Sequence, residues 1–139
     1  MSVSRSCRDD ARVDVLSSRI LLRPVDPARS QAFYRDVLGL AVYREFGPPE
    51  HPGVVFFLGN GLLEVSGPGD EPLQGMALWV QVRDVGAEVE RLRAGGTTVL
   101  RDPRTEPWGL VEAWIADPEG VRIALVEVPP DHPLRRDQR

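Results

Sequence analysis

Residues 26–40, DPARSQAFYRDVLGL, carry both ends of one short helix. Asp26 followed by Pro27 is a start signal. The carboxylate accepts an orphan N–H of the first turn, and proline has the right φ and needs no N–H there. Ala32, Phe33, Val37 and Leu38 then recur at helical spacing, and Gly39 supplies the left-handed stop. A helix of about three turns does not persist alone in water, so it must lie on a sheet built by its neighbours.

Those neighbours read as strands. Arg19 to Pro24 precedes the helix, and Ala41 to Phe46, Gly53 to Leu58 and Leu62 to Val65 follow it, with Gly59-Asn60-Gly61 as a tight turn. The second half repeats the order. Ala77 to Val82 is a strand, and Asp84 caps a helix with Val85, Val89 and Leu92 on one face, ended by Gly95-Gly96. Thr98 to Arg101, Leu110 to Ala116 and Val121 to Val128 are three further strands, the last two joined by the turn Asp117-Pro118-Glu119-Gly120.

The expected fold is therefore α+β: two βαβββ units, about 19–66 and 76–128, forming a curved mixed sheet with helices outside and a concave face inside. A ferredoxin-like domain without a true repeat is the alternative, and recurrence of the same order at an offset near 60 residues weighs against it.

Composition bounds the rest. The 139 residues suit one domain, placed at 15–129, between a flexible leader 1–14 and a flexible tail 130–139. Gly67 to Pro72 reads as a connector. No apolar run approaches the roughly 18 residues of a membrane span, and no signal peptide is visible, so a cytoplasmic location is expected and no membrane partner. The net charge of −4 disfavours nucleic acid. All 17 basic residues are arginine, which reads as base composition before function. Cys7 is the only cysteine, which excludes a disulfide framework and a cysteine metal cluster.

Three stretches, RPVDPARSQAFYRDVLGL (23–40), VRDVGAEVERLRAGG (82–96) and PWGLVEAWIADPEGVRIALVEV (107–128), resemble the vicinal oxygen chelate superfamily. That group includes glyoxalase I, extradiol dioxygenases, and fosfomycin- and bleomycin-resistance proteins. The resemblance implies four metal-ligand positions, usually His or Gln on the first strand of each unit and Glu on the last. They fall here on Arg19, Glu64, Ala77 and Ala124, with offsets of 58 residues from 19 to 77 and 60 from 64 to 124.

This set departs from the metalloenzyme pattern. A divalent ion poised for chemistry needs about three protein donors. Arginine has no lone pair to offer and alanine has no donor at all, which leaves Glu64. Glu127 lies three residues beyond Ala124 and belongs to the other face of the strand. His51 and His132 lie in a turn and the tail. No metal or other cofactor is expected.

Strand alternation then lists the inside of the cup. Arg19, Leu21 and Arg23 share one face, as do Trp79 and Gln81 beside Ala77. Glu64 brings Leu62 and Ser66, Ala124 brings Arg122 and Val126, and Trp114 shares a face with Glu112 and Ala116. The candidate ligand-binding residues are Arg19, Leu21, Arg23, Glu64, Trp79, Gln81, Trp114 and Ala124. Trp79 is expected to line the cup, because Leu78, Val80 and Val82 already fill the helix side; a closed core or a dimer interface would also use it. Arg19 and Glu64 should pair where a metal would otherwise lie, within about 6 Å.

Four functions are compatible with these residues. The resemblance to metal-free drug-sequestering members implies a homodimer that binds a small aromatic or apolar molecule in a concave groove. A metal-dependent lyase, isomerase or dioxygenase is the alternative within the superfamily. A metal-free enzyme would use Glu64 as base and Arg19 for an oxyanion. An interaction module would show a cup plugged by its own side chains.

Overall fold

The computed structural model describes residues 12–71 and 74–136. Cys7, most of the expected leader, Pro72 of the connector and the last three residues of the tail lie outside the described residues. The first unit comprises β1 (Ile20–Leu22), α1 (Pro27–Ala32), a π-helical turn (Phe33–Val37), β2 (Val42–Phe46), β3 (Gly53–Leu58) and β4 (Gly61–Val65). The second comprises β5 (Ala77–Gln81), α2 (Val85–Ala94), β6 (Thr98–Thr105), β7 (Val111–Ala116) and β8 (Arg122–Glu127). A short α3 (Pro133–Arg136) follows.

Each unit keeps a four-stranded mixed sheet of its own, in the orders β1-β4-β3-β2 and β5-β8-β7-β6. The first strand of each unit runs parallel to the last, and the other pairings are antiparallel. The repeat is thus present, as two matched sheets.

Both helix starts are as the sequence predicts: Asp26 Oδ1 accepts the N–H of Arg29 at 3.2 Å and Asp84 Oδ1 that of Ala87 at 3.0 Å. The end of the first helix differs in detail. Its last turn widens, so that Leu38 N–H reaches the carbonyl of Phe33 at 2.9 Å, before Gly39 at φ 77° lets Leu40 N–H close on Tyr34 at 2.9 Å. The wider turn aims Phe33 and Tyr34 inward, and both are buried. Strand β6 runs four residues past its expected end, through Pro103 to Thr105. It lies at the edge of its sheet and its pairing is irregular, and such positions tolerate a residue without an N–H.

The two units share one core. Leu22, Phe33, Tyr34, Phe56 and Leu63 of the first form a continuous buried cluster with Leu78, Val89, Leu92, Ile115 and Ile123 of the second. Each such side chain contributes about 1.5–3 kcal/mol on burial. The helix-side faces of both sheets supply these residues, which turns the opposite faces outward.

A polar clasp fastens the units. Tyr34 O–H donates to Asp117 Oδ2 at 2.8 Å, while Asp117 Oδ1 accepts the N–H groups of Glu119 and Val121 at 2.8 and 2.9 Å. Glu119 in turn accepts the N–H groups of Val25 and Asp26 at 2.8 and 2.7 Å. The turn between β7 and β8 is thereby docked at the start of α1. Burial, and then the charge of Asp117 and its hydrogen bond, push the Tyr34 phenol up from its ordinary range, so it stays a donor at any working pH.

A second, smaller cluster lies on the other side of the second sheet. Leu110, Ala124, Val126 and Val128 are buried there, with Trp114 and Leu134 packed against them. Within the segment read as a tail, His132 Nε2 lies 3.0 Å from the carbonyl of Trp108, and its Nδ1 accepts the N–H of Leu134 at 3.1 Å. Those bonds seat Leu134 on the sheet. Among the described residues no helix is long and apolar enough to cross a membrane.

Tyr34→Phe keeps the ring and removes the clasp donor, leaving buried Asp117 with one oxygen unpaired. The expected loss is about 2 kcal/mol, the range for a hydrogen bond to a charged acceptor, read as a lowered urea midpoint at unchanged slope. An unchanged midpoint would show that the clasp does not hold the units together.

Candidate functional site

Alternation along β1 puts Leu21 on the outward face and Leu22 in the core, and Leu21 is half exposed. The pairing register places Leu21 opposite Glu64, Glu64 opposite Val55, and Val55 opposite Arg44. These four residues form one row across the outward face of the first sheet. Arg19 and Arg23 flank the row along the chain.

The side chains converge on Glu64. Arg19 Nη1 donates to Glu64 Oε1 at 3.0 Å. Ser66 Oγ donates to Glu64 Oε2 at 2.8 Å, and Arg23 Nη1 donates to Ser66 Oγ at 3.0 Å. Arg23 Nη2 lies 4.0 Å from Oε2. The pairing expected of Arg19 with Glu64 is thus present, and Ser66 and Arg23 extend it. Burial alone would raise the Glu64 carboxyl, but the hydrogen bonds from Ser66 and Arg19 and the charges of Arg19 and Arg23 together hold it below the usual carboxylate range. A carboxylate held ionised this firmly is a weak base at neutral pH.

The second sheet carries the matching row: Trp79 opposite Ala124, Ala124 opposite Trp114, and Trp114 opposite Arg101. Trp79 is 50% exposed, whereas Ala124 is 2% exposed. Trp114 belongs to the cluster over Ala124, and the guanidinium of Arg122 lies 5.3 Å above its ring. Gln81 is partly buried beyond Trp79. In the first half of the expected cup Leu21 stays half exposed while Glu64, Ser66 and Val55 are buried, and the second half is partly filled by Trp114 and Leu134.

The candidate residues fall into two groups, Arg19, Leu21, Arg23 and Glu64 on one sheet, and Trp79, Gln81, Trp114 and Ala124 on the other. A cavity of about 700 Å³ opens beyond the C-terminal end of β1, and its lining takes Leu21 and Arg23 from the first group and none of the second. Asp70 and Glu71 of the connector face it from the other side.

Among the described residues no three His, Cys, Asp or Glu side chains gather in a way that could hold a metal ion. Glu127 Oε1 accepts the N–H of Val85 at 3.1 Å, so it serves the start of α2 on the helix side. His51 sits in an exposed turn, and His132 is tied to Trp108 and Leu134.

One polar cluster was not legible in advance. Glu106, 4% exposed, forms ion pairs with Arg101 and Arg104. The Arg101 hydrogen bond, opposed by burial and aided by both arginine charges, keeps its carboxyl low. Trp108 Nε1–H donates to Glu112 Oε2 at 2.8 Å, and Arg101 Nη2 donates to the Glu112 carbonyl at 2.9 Å. The only signal is the charges at Arg101, Arg104 and Glu106 on either side of Pro103, which a strand ending at Arg101 hides.

The family model described as the Glyoxalase/Bleomycin resistance protein/Dioxygenase superfamily matches residues 17–125. A lactoylglutathione lyase of Haemophilus influenzae is 32% identical over 119 residues, covering 77% of this chain and 88% of that protein. A superfamily member from Sphaerobacter thermophilus superposes with a TM-score of 0.66 at 22% identity, over 84% of this chain and 98% of that one. Lactoylglutathione lyase from Agrobacterium tumefaciens gives 0.64 at 23% identity, over 84% and 96%. At these identities the two structures bear on the fold alone. With the βαβββ repeat and a family match across both units, this chain belongs to the Glyoxalase/Bleomycin resistance protein/Dioxygenase superfamily.

Proposed function

We propose that this chain is a metal-independent member of its superfamily that binds a small aromatic or apolar molecule in a concave groove and sequesters it without turnover. The observation that carries the proposal is the ion pair of Arg19 with Glu64. It joins the two first-unit positions at which related metalloenzymes are expected to hold an ion, and the matching second-unit positions are alanines. A permanent cation there repels a divalent ion and has no lone pair to coordinate one. The residues present do not fit a metal, so no step is assigned to one. Leu21 on the first sheet and Trp79 on the second, each about half exposed, are two separate apolar surfaces, of which Leu21 lies at the cavity.

A homodimer completes the groove in this proposal. Tyr43 and Phe57 pack edge to face with ring centroids 5.2 Å apart, and both remain about half exposed. A second copy would cover this apolar area and leave Leu21 to the groove. A cytoplasmic setting accompanies the proposal.

The second reading, a metal-dependent lyase, isomerase or dioxygenase, draws on the 32% identity to a lactoylglutathione lyase. Metal analysis separates the two. Protein purified without chelator is expected to carry far less than one equivalent of Fe, Mn, Ni or Zn, to gain no thermal stability on adding them, and to form no lactoylglutathione. One tightly held equivalent with turnover would establish the second reading.

The state of Glu64 also has a measurable consequence. Its folded pKa, like that of Glu106, is lowered, so the stability it contributes is complete above the ordinary carboxylate value near 4.5 and is lost as pH falls through the folded value. The denaturation midpoint is expected to stay level around neutrality and to fall below about pH 4.5. Glu64→Gln should make that acid slope shallower; an identical slope would mean that Glu64 is not held ionised by its arginines.

A further inference from the structure

The outward face of the first sheet has a sign opposite to that of the whole protein. Arg19, Arg23 and Arg44 share it with one carboxylate, Glu64, in a chain of net charge −4. Glu64 cannot neutralise three guanidinium groups, and it is already held by Arg19 and Ser66. Arg19 uses a single N–H on Glu64, and its side chain is 34% exposed. The guanidinium of Arg44 lies 5.7 Å from the Phe46 ring centroid, a position that steadies the cation at the sheet edge.

The row between Arg19 and Arg44 is Leu21, Glu64 and Val55, three strand spacings of about 4.8 Å wide; Leu21 is half exposed, whereas Glu64 and Val55 are buried. The opposite end, beyond Arg23, is bounded by Asp70 and Glu71. The face is therefore polarised, with cations over the sheet and acids at the connector.

We propose that the ligand of this groove is an anion: a planar apolar body bearing one carboxylate or a comparable oxyanion. Its charged group lies toward Arg19 and Arg44, and its body lies on Leu21. This rests on the groove-binding reading above and names the class of ligand within it. A guanidinium presents two parallel N–H groups that match the two oxygens of one carboxylate, which a neutral amide cannot reproduce. The acids at the connector repel the reverse orientation.

The test uses a matched pair of probes, 2-naphthoate and the neutral, nearly isosteric 2-naphthamide, titrated calorimetrically into the intact protein at low and high salt. The naphthoate is expected to bind about 10-fold more tightly at low salt, with the preference shrinking as salt rises. Arg44→Gln, an exposed substitution outside the Glu64 network, should cut the preference by about threefold, and Arg19→Gln by more. Circular dichroism checks that each variant folds, and the Arg44 variant alone decides if the Arg19 variant does not. Equal binding of the two probes, or preference for the amide, overturns the anionic ligand while leaving the groove reading intact. A preference that Arg44→Gln leaves unchanged places the anion elsewhere and also overturns it. Binding of neither probe removes both readings.

Discussion

The contact between Arg19 and Glu64 is the constraint on which the functional account turns. Two ionised groups meet on a partly buried sheet face, and each determines what the other can do. The Ser66 hydroxyl and the guanidinium together hold the carboxylate ionised, which disfavours it as a base, and the carboxylate in turn fixes the guanidinium over it. Such a pair is not by itself a large source of stability, since desolvation offsets much of the Coulomb attraction. In the proposed reading its consequence is chemical: the first unit presents a cation where metal-dependent relatives are expected to present donors.

Burial of the opposite sheet faces makes this site possible. One core joins the two units through the faces that carry Leu22, Phe56, Leu78 and Ile123, so alternation sends Leu21, Glu64 and Trp79 outward. The clasp of Tyr34 on Asp117 ties α1 of the first unit to the β7–β8 turn of the second. The two outward faces then differ. The first keeps charged side chains and half-exposed apolar ones. In the second, Trp114 and Leu134 lie over the positions around Ala124. The repeat is symmetric in backbone and asymmetric in chemistry.

Much of this was legible in the residues. Asp26-Pro27 and Asp84 mark helix starts by a local hydrogen bond, which needs no tertiary knowledge. Period-two alternation placed Arg19, Leu21 and Glu64 on one face, because Leu22 and Leu63 had to be buried on the other. The features that escaped were set by distant contacts. The wide turn that buries Tyr34 depends on packing against the second unit. The passage of β6 through Pro103 depends on its edge position, which only sheet order reveals. The seating of Leu134 rests on His132 meeting the carbonyl of Trp108, a contact between residues 24 apart that no periodicity signals. Ser66 was placed on the correct face, but its bridge between Arg23 and Glu64 required side-chain geometry.

A crystal structure of protein purified without chelator tests the central claim most directly. Arg19 and Glu64 are expected within hydrogen-bond distance on the outward face of the first sheet, with any bound molecule lying beside them and no ion coordinated there. A divalent metal held by three or more protein donors at that position, with the Arg19 side chain turned away from Glu64, would contradict it.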